Sequence, residues 1–522
     1  MLVNIFSAKC IGIDAVKVTV EVNVDNGIGL HLCGLADTAV KESLLRTVTA
    51  LQSLGFHIPG KKIVINLAPA DLHKKGSGYD LPIALGIIAA SDQIPLPELG
   101  NYIIMGELGL DGSVREIQGA LPVADMARKD SFKGCILPMN SALECVELQD
   151  TTVYGVRTFL DVIRILRGDE ICDDLLAQNS REWQKLKREM THQRQKAGSG
   201  YMDFEDIIGQ EAAKRAAEIA AAGGHNMILV GPPGSGKSSL AKACAGILPG
   251  MTMEEAIVTS KIWSIAGKGN KSGLMRSRPY RAPHYSASMA AMVGGGGGDN
   301  IIPGEVSLAQ NGVLFLDEFG QMPKSVIEAL RGPLEDRKVT ISRLKMKVEY
   351  PASFILLAAS NPCPCGFWGD GDRCTCTVGQ RQTYLGKLSG PLMDRIDLHV
   401  WMSPVESGKV MAKRKAEPSA RVAERVKMAR MRQEDRFRNE LICTNAEMDN
   451  RQIEKYCILS EACMQTLQKL MDRMHLSMRA YFRIVKVART IADLEGCDRI
   501  MEKHIIEAAG YRFLDKPGSG VV

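Results

Sequence analysis

A glycine-rich segment has the residue types and spacing needed to bind phosphate. It reads Gly231, Pro232, Pro233, Gly234, Ser235, Gly236, Lys237, Ser238 and matches G-x-x-x-x-G-K-[ST] in full. Glycines let the backbone curl until its N–H groups point at phosphate oxygens, Lys237 adds a positive charge, and the Ser238 hydroxyl can ligate Mg²⁺. A predicted buried strand, Met227–Val230, precedes the loop, and a predicted helix follows from Ser239, which we assign to the same site. The segment therefore predicts binding of ATP with Mg²⁺.

A second candidate motif, Gly312–Phe319, is an apolar run that ends in two carboxylates. The run predicts a buried strand, and Asp317 and Glu318 follow at its carboxyl end. There Asp317 can hold Mg²⁺ through its water shell, and Glu318 can polarise the water that attacks the terminal phosphate. Downstream of a phosphate-binding loop, this arrangement predicts ATP hydrolysis rather than binding alone.

A third apolar run, Phe354–Ala359, is followed by Ser360 and Asn361. The Asn361 amide is suited to orienting the attacking water, so we include it among the candidate catalytic residues. A cap of a helix or turn is the alternative role for Asn361.

Length and composition are those of an ordinary soluble protein with several domains. The chain has 522 residues, which is too long for one core and suggests about three domains. Its net charge of +5 is too small over this length to indicate a partner. No apolar stretch reaches the roughly 18 residues of a membrane span, so we predict a cytoplasmic protein with no membrane partner. The 14 cysteines are then expected to be thiols or metal ligands rather than disulfides.

The chain divides into four segments. Residues 1–168 alternate strand-like and helix-like runs, which is typical of an α+β or α/β domain. Residues 169–202 are polar and charged and have the composition of a linker. Residues 203–404 contain the nucleotide motifs on predicted parallel strands, and residues 405–522 show apolar residues at helical spacing. The predicted fold class is therefore multidomain α/β with a helical carboxyl-terminal part.

Further motifs resemble those of one ATPase family. They are Gly209-Gln-Glu, Gly223-Gly-His-Asn, Arg281-Ala-Pro-His, Pro303-Gly-Glu-Val-Ser, Asn361-Pro-Cys-Pro-Cys-Gly and Ser389-Gly-Pro-Leu-Met-Asp-Arg-Ile-Asp-Leu. In this combination the chain resembles the AAA+ ATPases, and among them the magnesium-chelatase-like YifB/ComM family, over nearly its whole length. The resemblance implies a Lon-protease-like α+β amino-terminal domain, an AAA+ core with a parallel sheet and a helical carboxyl-terminal lid. Members of the family are implicated in ATP-driven branch migration of DNA during recombination.

The same resemblance assigns roles to three more residues. Asn361 corresponds to sensor 1, Arg395 to the arginine finger and Arg479 to sensor 2. An arginine finger stabilises charge on the γ-phosphate and can come from a neighbouring subunit, so it implies a homo-oligomeric ring, which we predict to be a hexamer. The alternative for Arg395 is a local ion pair with Asp394 or Asp397, and the alternative for Arg479 is a solvated helix position.

Two segments of the core carry clustered positive charge. Between Ala256 and Gly298 the sequence has no acidic residue and ends in a run of glycines, while its basic residues are Lys261, Lys268, Lys271, Arg276, Arg278 and Arg281. By resemblance this segment is an insert near the pore of the ring. A second segment, Lys338–Tyr350, is predicted to form a hairpin on which Arg343, Lys345 and Lys347 share one face. We predict sequence-independent contact with DNA phosphates; ordinary solvated loops are the alternative.

Four cysteines cluster directly after Asn361. Cys363 and Cys365 are separated by one residue, as are Cys374 and Cys376, and the intervening loop is long enough to bring the two pairs together. Four thiolates can close a tetrahedral zinc site, although the usual spacing within each pair is two residues. The sequence leaves both a structural zinc site and four unliganded thiols open.

The resemblance to Lon-type domains covers Lys75–Ala84 and Gly106–Gly112 and raises the question of peptidase activity. A Lon protease uses a serine activated by a lysine. In this sequence the serine position falls on Gly78 and the lysine position on Leu121. Ser77 and Lys74 lie nearby, but the expected pair is absent, so we predict no peptidase activity.

Two classes of function remain from the sequence. The first is a hexameric, DNA-binding ATPase motor that acts in recombination or competence. The alternative is a protein-remodelling or chelatase-type motor ATPase without direct action on DNA.

Overall fold

The structure, a computed structural model, describes residues 1–34, 38–74, 76–168, 172–196, 201–296, 301–343, 346–369, 373–388, 392–404 and 416–515. Lys75, Lys345 and the Ser389–Pro391 part of the quoted motifs lie outside these ranges. Across them, no helix combines the length and apolarity needed to cross a membrane.

Strands and helices alternate in the amino-terminal part, as predicted. The strands are β1 (Leu2–Ile11), β2 (Asp14–Asp25), β3 (Gly29–Cys33), β4 (Lys62–Ala68), β5 (Tyr102–Ile104), β6 (Glu107–Leu108), β7 (Val114–Arg115), β8 (Gly134–Pro138) and β9 (Thr152–Val156). The helices are α1 (Thr38–Ser53), α2 (Asp80–Ala90), α3 (Ala120–Lys129), α4 (Met139–Ala142) and α5 (Phe159–Arg167). A seven-stranded mixed sheet has the order β3-β4-β2-β1-β5-β8-β9. Strand β2 is antiparallel to β1 and β4, and the remaining neighbours are parallel.

Hydrophobic patterning explains how this sheet packs. On β2, Val18, Val20 and Val22 are buried, while the residues between them are half-buried, so one face meets the core. Helix α2 is apolar all round, and it accordingly lies inside the core with nearly every residue buried.

The structure gives Ser77 and Lys74 separate partners. The Ser77 hydroxyl donates a hydrogen bond to the Glu107 carboxylate. The Lys74 ammonium is buried and donates to the carbonyl oxygen of Pro69, and burial lowers the pKa of Lys74. These partners differ from the serine–lysine pair that a Lon-type mechanism requires.

The segment predicted to be a linker contains a helix, α6 (Arg181–Lys196). Trp183, near the start of α6, is buried. A Cβ atom built on Gly273 would lie 3.1 Å from the indole ring of Trp183. The helix therefore contacts residues 203–404, the predicted nucleotide-binding part, as well as following the amino-terminal part.

The nucleotide-binding part is built from short parallel strands and flanking helices. Its strands are β10 (Met227–Val230), β11 (Tyr280–Arg281), β12 (Gly294–Gly295), β13 (Ile302–Pro303), β14 (Val313–Leu316), β15 (Lys338–Arg343), β16 (Met346–Pro351), β17 (Ile355–Ser360) and β18 (Leu398–Trp401). Its helices are α7 (Glu211–Gly223), α8 (Lys237–Gly246), α9 (Met253–Ile265), α10 (Met289–Val293), α11 (Glu305–Leu308), α12 (Lys324–Ala329), α13 (Arg331–Asp336) and α14 (Val378–Leu388).

A five-stranded parallel sheet organises this part, in the order β11-β14-β17-β10-β18. Its strands read as unbroken apolar runs because both faces are covered, with Leu229 and Phe315 on one side and Ile228 and Leu316 on the other. Strand β17 lies between β10 and β14. The three segments that follow these strands therefore meet at one edge of the sheet.

The carboxyl-terminal part is helical, with α15 (Ser419–Arg436), α16 (Asn450–Tyr456), α17 (Glu461–Met474), α18 (Met478–Leu494) and α19 (Glu502–Gly510). Apolar residues of these helices join one hydrophobic core with α7 and the parallel sheet. Gln433 also donates a hydrogen bond of 3.0 Å to the carbonyl of Ala222, at the end of α7. The helices thus pack on the nucleotide-binding part rather than forming a separate body.

Lys261, predicted to belong to a basic loop, instead lies buried on α9 at the contact with the amino-terminal part. Its ammonium group is 2.6 Å from a carboxylate oxygen of Asp125 and 2.9 Å from one of Asp14. Burial alone would raise the pKa of Asp125, but its hydrogen bonds, the first from Lys261, outweigh burial and hold the pKa well below its usual range. Lys261 therefore links α9 to the amino-terminal part through two ion pairs.

Four other basic residues of this segment also form ion pairs. The pairs are Lys271–Glu116 at 2.9 Å, Arg276–Glu147 at 3.3 Å, Arg278–Glu255 at 2.8 Å and Arg281–Glu305 at 2.6 Å. These four charges are therefore paired in the fold, because residues outside the segment supply the acids that the segment itself lacks.

Candidate active site

The phosphate-binding loop lies between β10 and α8, as its sequence predicts. Gly234 and Gly236 have φ angles of 79° and 89°, in the region that glycine adopts without strain, and helix α8 begins at Lys237. The N–H groups at the start of α8 therefore face the space enclosed by the loop, where the helix dipole favours an anion.

Lys237 and Ser238 take positions suited to phosphate and metal binding. The Lys237 ammonium donates to the carbonyl oxygens of Gly231 and Pro232 at 2.7 and 2.9 Å, so it folds over the loop. Burial lowers the pKa of Lys237. The Ser238 hydroxyl donates to the carboxylate of Asp317 at 2.9 Å, which brings the two predicted Mg²⁺ ligands together from β14 and α8.

Glu318 and Asn361 lie on the same edge of the sheet. Glu318 follows Asp317, has a φ of 49°, and donates its backbone N–H to the Asp317 carboxylate at 2.9 Å. Asn361 follows β17, between the strands that carry the loop and the carboxylates. Five predicted residues thus converge on one edge: Lys237, Ser238, Asp317, Glu318 and Asn361. A carboxylate and an amide beside a phosphate-binding loop can orient and polarise an attacking water.

Two residues at this edge were not assigned roles from the sequence. Gln210 donates from its side-chain amide to the carbonyls of Ser235 at 3.3 Å and Ser403 at 2.6 Å, so it joins the phosphate loop to the segment after β18. Tyr384 on α14 is hydrogen-bonded to Ser360, and burial raises the pKa of its hydroxyl. Gln210 belongs to a recognisable motif, whereas nothing in the sequence around Tyr384 points to this position.

Arg395 and Arg479 lie at the opposite edge of the sheet from the phosphate loop. Arg395 precedes β18, where its guanidinium pairs with Glu335 and its carbonyl accepts a hydrogen bond of 3.1 Å from Asn226. Arg479 pairs with Asp394 at 2.8 Å. The four residues of β18 separate this edge from the loop by about 13 Å, since a strand rises about 3.3 Å per residue. Neither guanidinium is placed to contact a nucleotide in its own subunit.

Asp397 organises the edge that carries Arg395. It is buried, accepts the backbone N–H of Asn226 at 3.1 Å, and pairs with Arg483 and His225. Burial alone would raise the pKa of Asp397, but the charge of Arg483 and the hydrogen bond from His225 hold that pKa well below its usual range. Both carboxylates considered as local partners of Arg395 therefore have other partners. Asp397 pairs with Arg483, and Asp394 pairs with Arg479.

We expect Asp397→Asn to lower the free energy of unfolding by about 3 kcal/mol, because it removes the buried carboxylate that pairs with the half-buried Arg483. Urea denaturation of the full chain measures this change. The matched control is Asp394→Asn, whose ion pair with Arg479 is exposed and should contribute less than about 1 kcal/mol. Equal losses in the two variants would contradict the role given to Asp397. The wild-type contribution is present above a pH of about 4 and is lost as the pH falls further.

The predicted hairpin forms from β15 and β16, but the prediction of its basic face is wrong. In the observed register Arg343 pairs with Met346, and Ser342 pairs with Lys347. Arg343 therefore shares a face with Ile341 and Val348, while Lys347 projects from the other face beside Glu349, at 3.7 Å. The register of the two strands therefore differs from a continuous alternation along the linear sequence.

The two cysteine pairs are brought together. The sulfur atoms of Cys363, Cys365, Cys374 and Cys376 all lie within 4.8 Å of one another. The predicted cluster therefore exists as a compact group of thiols beside Asn361.

Three magnesium-chelatase families are similar to successive parts of the chain. Residues 20–141 match the family described as subunit ChlI of Mg-chelatase, residues 203–410 match magnesium chelatase, subunit ChlI, and residues 416–512 match its C-terminal family. An archaeal Lon protease from Methanocaldococcus jannaschii is 24% identical over 144 residues, 28% of this chain and 22% of that protein. This weak similarity is compatible with a Lon-like amino-terminal domain.

Two relatives match almost from end to end. Competence protein ComM of Haemophilus influenzae is 40% identical over 516 residues, which cover 98% of this chain and 97% of that protein. YifB of Salmonella typhimurium is 39% identical over 518 residues, 99% of this chain and 98% of that protein. With such identity over nearly its whole length, the chain belongs to the YifB/ComM family of magnesium-chelatase-like AAA+ ATPases.

Proposed function

We propose that this protein hydrolyses ATP at the edge formed by the phosphate loop, Asp317 and Glu318, and that hydrolysis drives a ring-shaped motor on DNA. The observation that carries the first step is the 2.9 Å hydrogen bond between Ser238 and Asp317. It joins the two motifs where Mg²⁺ would bind, next to Glu318 and at the same edge of the sheet as Asn361. Mg²⁺-dependent release of phosphate from ATP by the purified chain tests this step.

The placement of Arg395 supports a ring. An arginine that stabilises the γ-phosphate must reach the nucleotide, and Arg395 lies at the far edge of its own sheet. Head-to-tail packing of subunits would place that edge against the loop of a neighbour, and such an interface closes into a ring. We propose that Arg395 acts in this way, together with Arg479 on the same edge, in a hexamer.

The two hairpins of the core support contact with DNA. A Cβ at Gly294 would lie 3.0 Å from Ile341, and one at Gly295 would lie 3.9 Å from the Arg343 guanidinium, so the glycine hairpin β12-β13 lies beside β15-β16. Arg343 is exposed there, and among the described residues it has no ion-pair partner. An exposed guanidinium beside these two strand pairs suits sequence-independent contact with a phosphate backbone.

We expect Arg343→Glu to abolish most of the stimulation of ATP hydrolysis by DNA while leaving hydrolysis without DNA nearly unchanged. A reversed charge repels the backbone, and each lost phosphate contact also reduces the dependence of binding on salt. The measurement is ATPase rate against the concentration of single-stranded, duplex and branched DNA at low salt. The control is Lys185→Ala, which removes a cation that is 80% exposed on α6, away from both hairpins.

If no form of DNA stimulates ATP hydrolysis by the wild-type protein, that result would favour the alternative, a chelatase-type or protein-remodelling motor. The matches to chelatase subunits support that alternative as much as they support a DNA motor. The name of the Haemophilus relative, a competence protein, favours DNA. Equal stimulation in wild type and Arg343→Glu would leave a DNA motor but exclude this hairpin as its contact.

A further inference from the structure

The four clustered cysteines have the geometry of ligands around a single metal ion. The sulfur of Cys363 is 3.3 Å from that of Cys365 and 3.8 Å from that of Cys374, and the last two are 3.7 Å apart. With a metal–sulfur bond of about 2.3 Å, a tetrahedral zinc site requires sulfur atoms about 3.8 Å apart. Sulfurs this close surround one ion, whereas the ligands of an iron–sulfur cluster bind different irons and lie further apart.

Burial and the local chain also fit a structural site. Cys363 is buried and the other three sulfurs are half-buried, so the site is closed towards the protein and reachable by an ion from outside. Gly366 donates its N–H to the carbonyl of Cys363 at 3.0 Å and has a φ of 86°. This turn returns the chain immediately after Cys365 and compensates for the short spacing within the pair.

Residues 366–369, which follow the first cysteine pair and are called the cysteine loop below, pack on the proposed nucleotide site. A Cβ at Gly366 would lie 3.2 Å from the ring of Pro233, a residue of the phosphate loop. Trp368 meets Trp401 edge to face with ring centroids 5.7 Å apart, and Trp401 ends β18, next to the phosphate loop. The Arg381 guanidinium lies over the Trp368 ring at 5.2 Å. The cysteine loop is thus held against the strand end and the loop that would bind ATP.

We propose that Cys363, Cys365, Cys374 and Cys376 bind one structural zinc ion, and that the ion holds the cysteine loop against Pro233 so that the phosphate loop keeps its shape for nucleotide. The zinc site stands on the sulfur geometry alone. Its effect on nucleotide rests on the proposed function. Without the ion, four thiols would hold the cysteine loop only by weak contacts, and the support for Pro233 would be lost.

Metal analysis of the full-length protein, purified without chelators under reducing conditions, tests the site. We expect about one zinc per chain, because four thiolates this close fit one tetrahedral ion, and neither inorganic sulfide nor stoichiometric iron. Cys374→Ser combined with Cys376→Ser should lose the zinc, whereas Cys376→His should retain it, because imidazole is also a zinc ligand. The matched control, Cys33→Ser with Cys443→Ser, removes two exposed thiols elsewhere and should keep the full zinc content.

Binding of a fluorescent ATP analogue tests the coupling. The Kd should rise about tenfold in the Cys374→Ser, Cys376→Ser variant, a change that loss of one well-packed contact can produce. The Kd should stay unchanged in Cys376→His. An unchanged Kd in this variant would also show that replacing a cysteine does not by itself prevent folding.

Two results would overturn the proposal. Wild-type protein that neither contains zinc nor takes it up when reduced would exclude the site. Loss of zinc without any change in the Kd would exclude its support of the phosphate loop. Because zinc content is measured without nucleotide, it judges the metal site even if the protein fails to hydrolyse ATP.

Discussion

Replacing Glu318 by Gln is expected to slow ATP hydrolysis at least about a hundredfold while Mg²⁺–ATP still binds, since a positioned general base contributes 10² or more to a rate. Asp317, Ser238 and the loop remain intact in this variant, so the nucleotide keeps its metal and its phosphate contacts. Gln has nearly the shape of Glu but cannot polarise the attacking water as a carboxylate does. Steady-state phosphate release and binding of a fluorescent ATP analogue together measure the two properties.

Lys237→Ala provides the contrast to Glu318→Gln. It removes a charge from the phosphate site itself, so it should weaken nucleotide binding as well as abolish hydrolysis, although the chain should still fold and assemble in part. Glu328→Gln on α12 is a matched control, because its carboxylate is exposed and should affect neither property. Hydrolysis at the wild-type rate in Glu318→Gln would show that another group activates the water.

Mixing two inactive proteins, Lys237→Ala and Arg395→Ala, is expected to restore ATP hydrolysis. The first retains its arginine and the second retains its phosphate loop, so a neighbouring pair in the right order has one complete site. In randomly mixed rings about a quarter of the interfaces are of this kind, so activity should approach a quarter of wild type. The expectation rests on the position of Arg395 at the opposite edge of the sheet from the loop of its own subunit.

The control for this experiment is a mixture of Lys237→Ala with the double variant that carries both changes. No interface in it joins an intact loop to an intact arginine, so it should stay inactive. If the first mixture also stays inactive, although subunit exchange is demonstrated by affinity-tag capture, Arg395 does not act between subunits. A similar mixture with Arg479→Ala would show whether that residue also acts on a neighbour.

The arrangement of the candidate nucleotide site could be predicted from the sequence because its parts are local. The phosphate loop is a continuous strand–loop–helix segment, and β10 and α8 lie where its apolar and glycine pattern indicates. The two strands that precede Glu318 and Asn361 are short apolar runs, and the rule that parallel strands end at a common edge was enough to bring these residues together. The helices α17 and α18 were equally evident from their apolar spacing.

The tertiary structure decided which charges remain free and which edge each arginine occupies. Lys261 and Arg278 lie in a stretch without acids, yet Asp125 and Glu255 neutralise them, since a fold places residues in contact without regard to their distance along the chain. The register of β15 and β16 puts Arg343 and Lys347 on opposite faces, which linear alternation cannot show. Likewise, spacing suggested that four cysteines could meet, but only packing placed their loop against Pro233. A motif such as the phosphate loop depends on consecutive residues and can be predicted from them. Charge pairing and the contacts between loops depend on the whole fold.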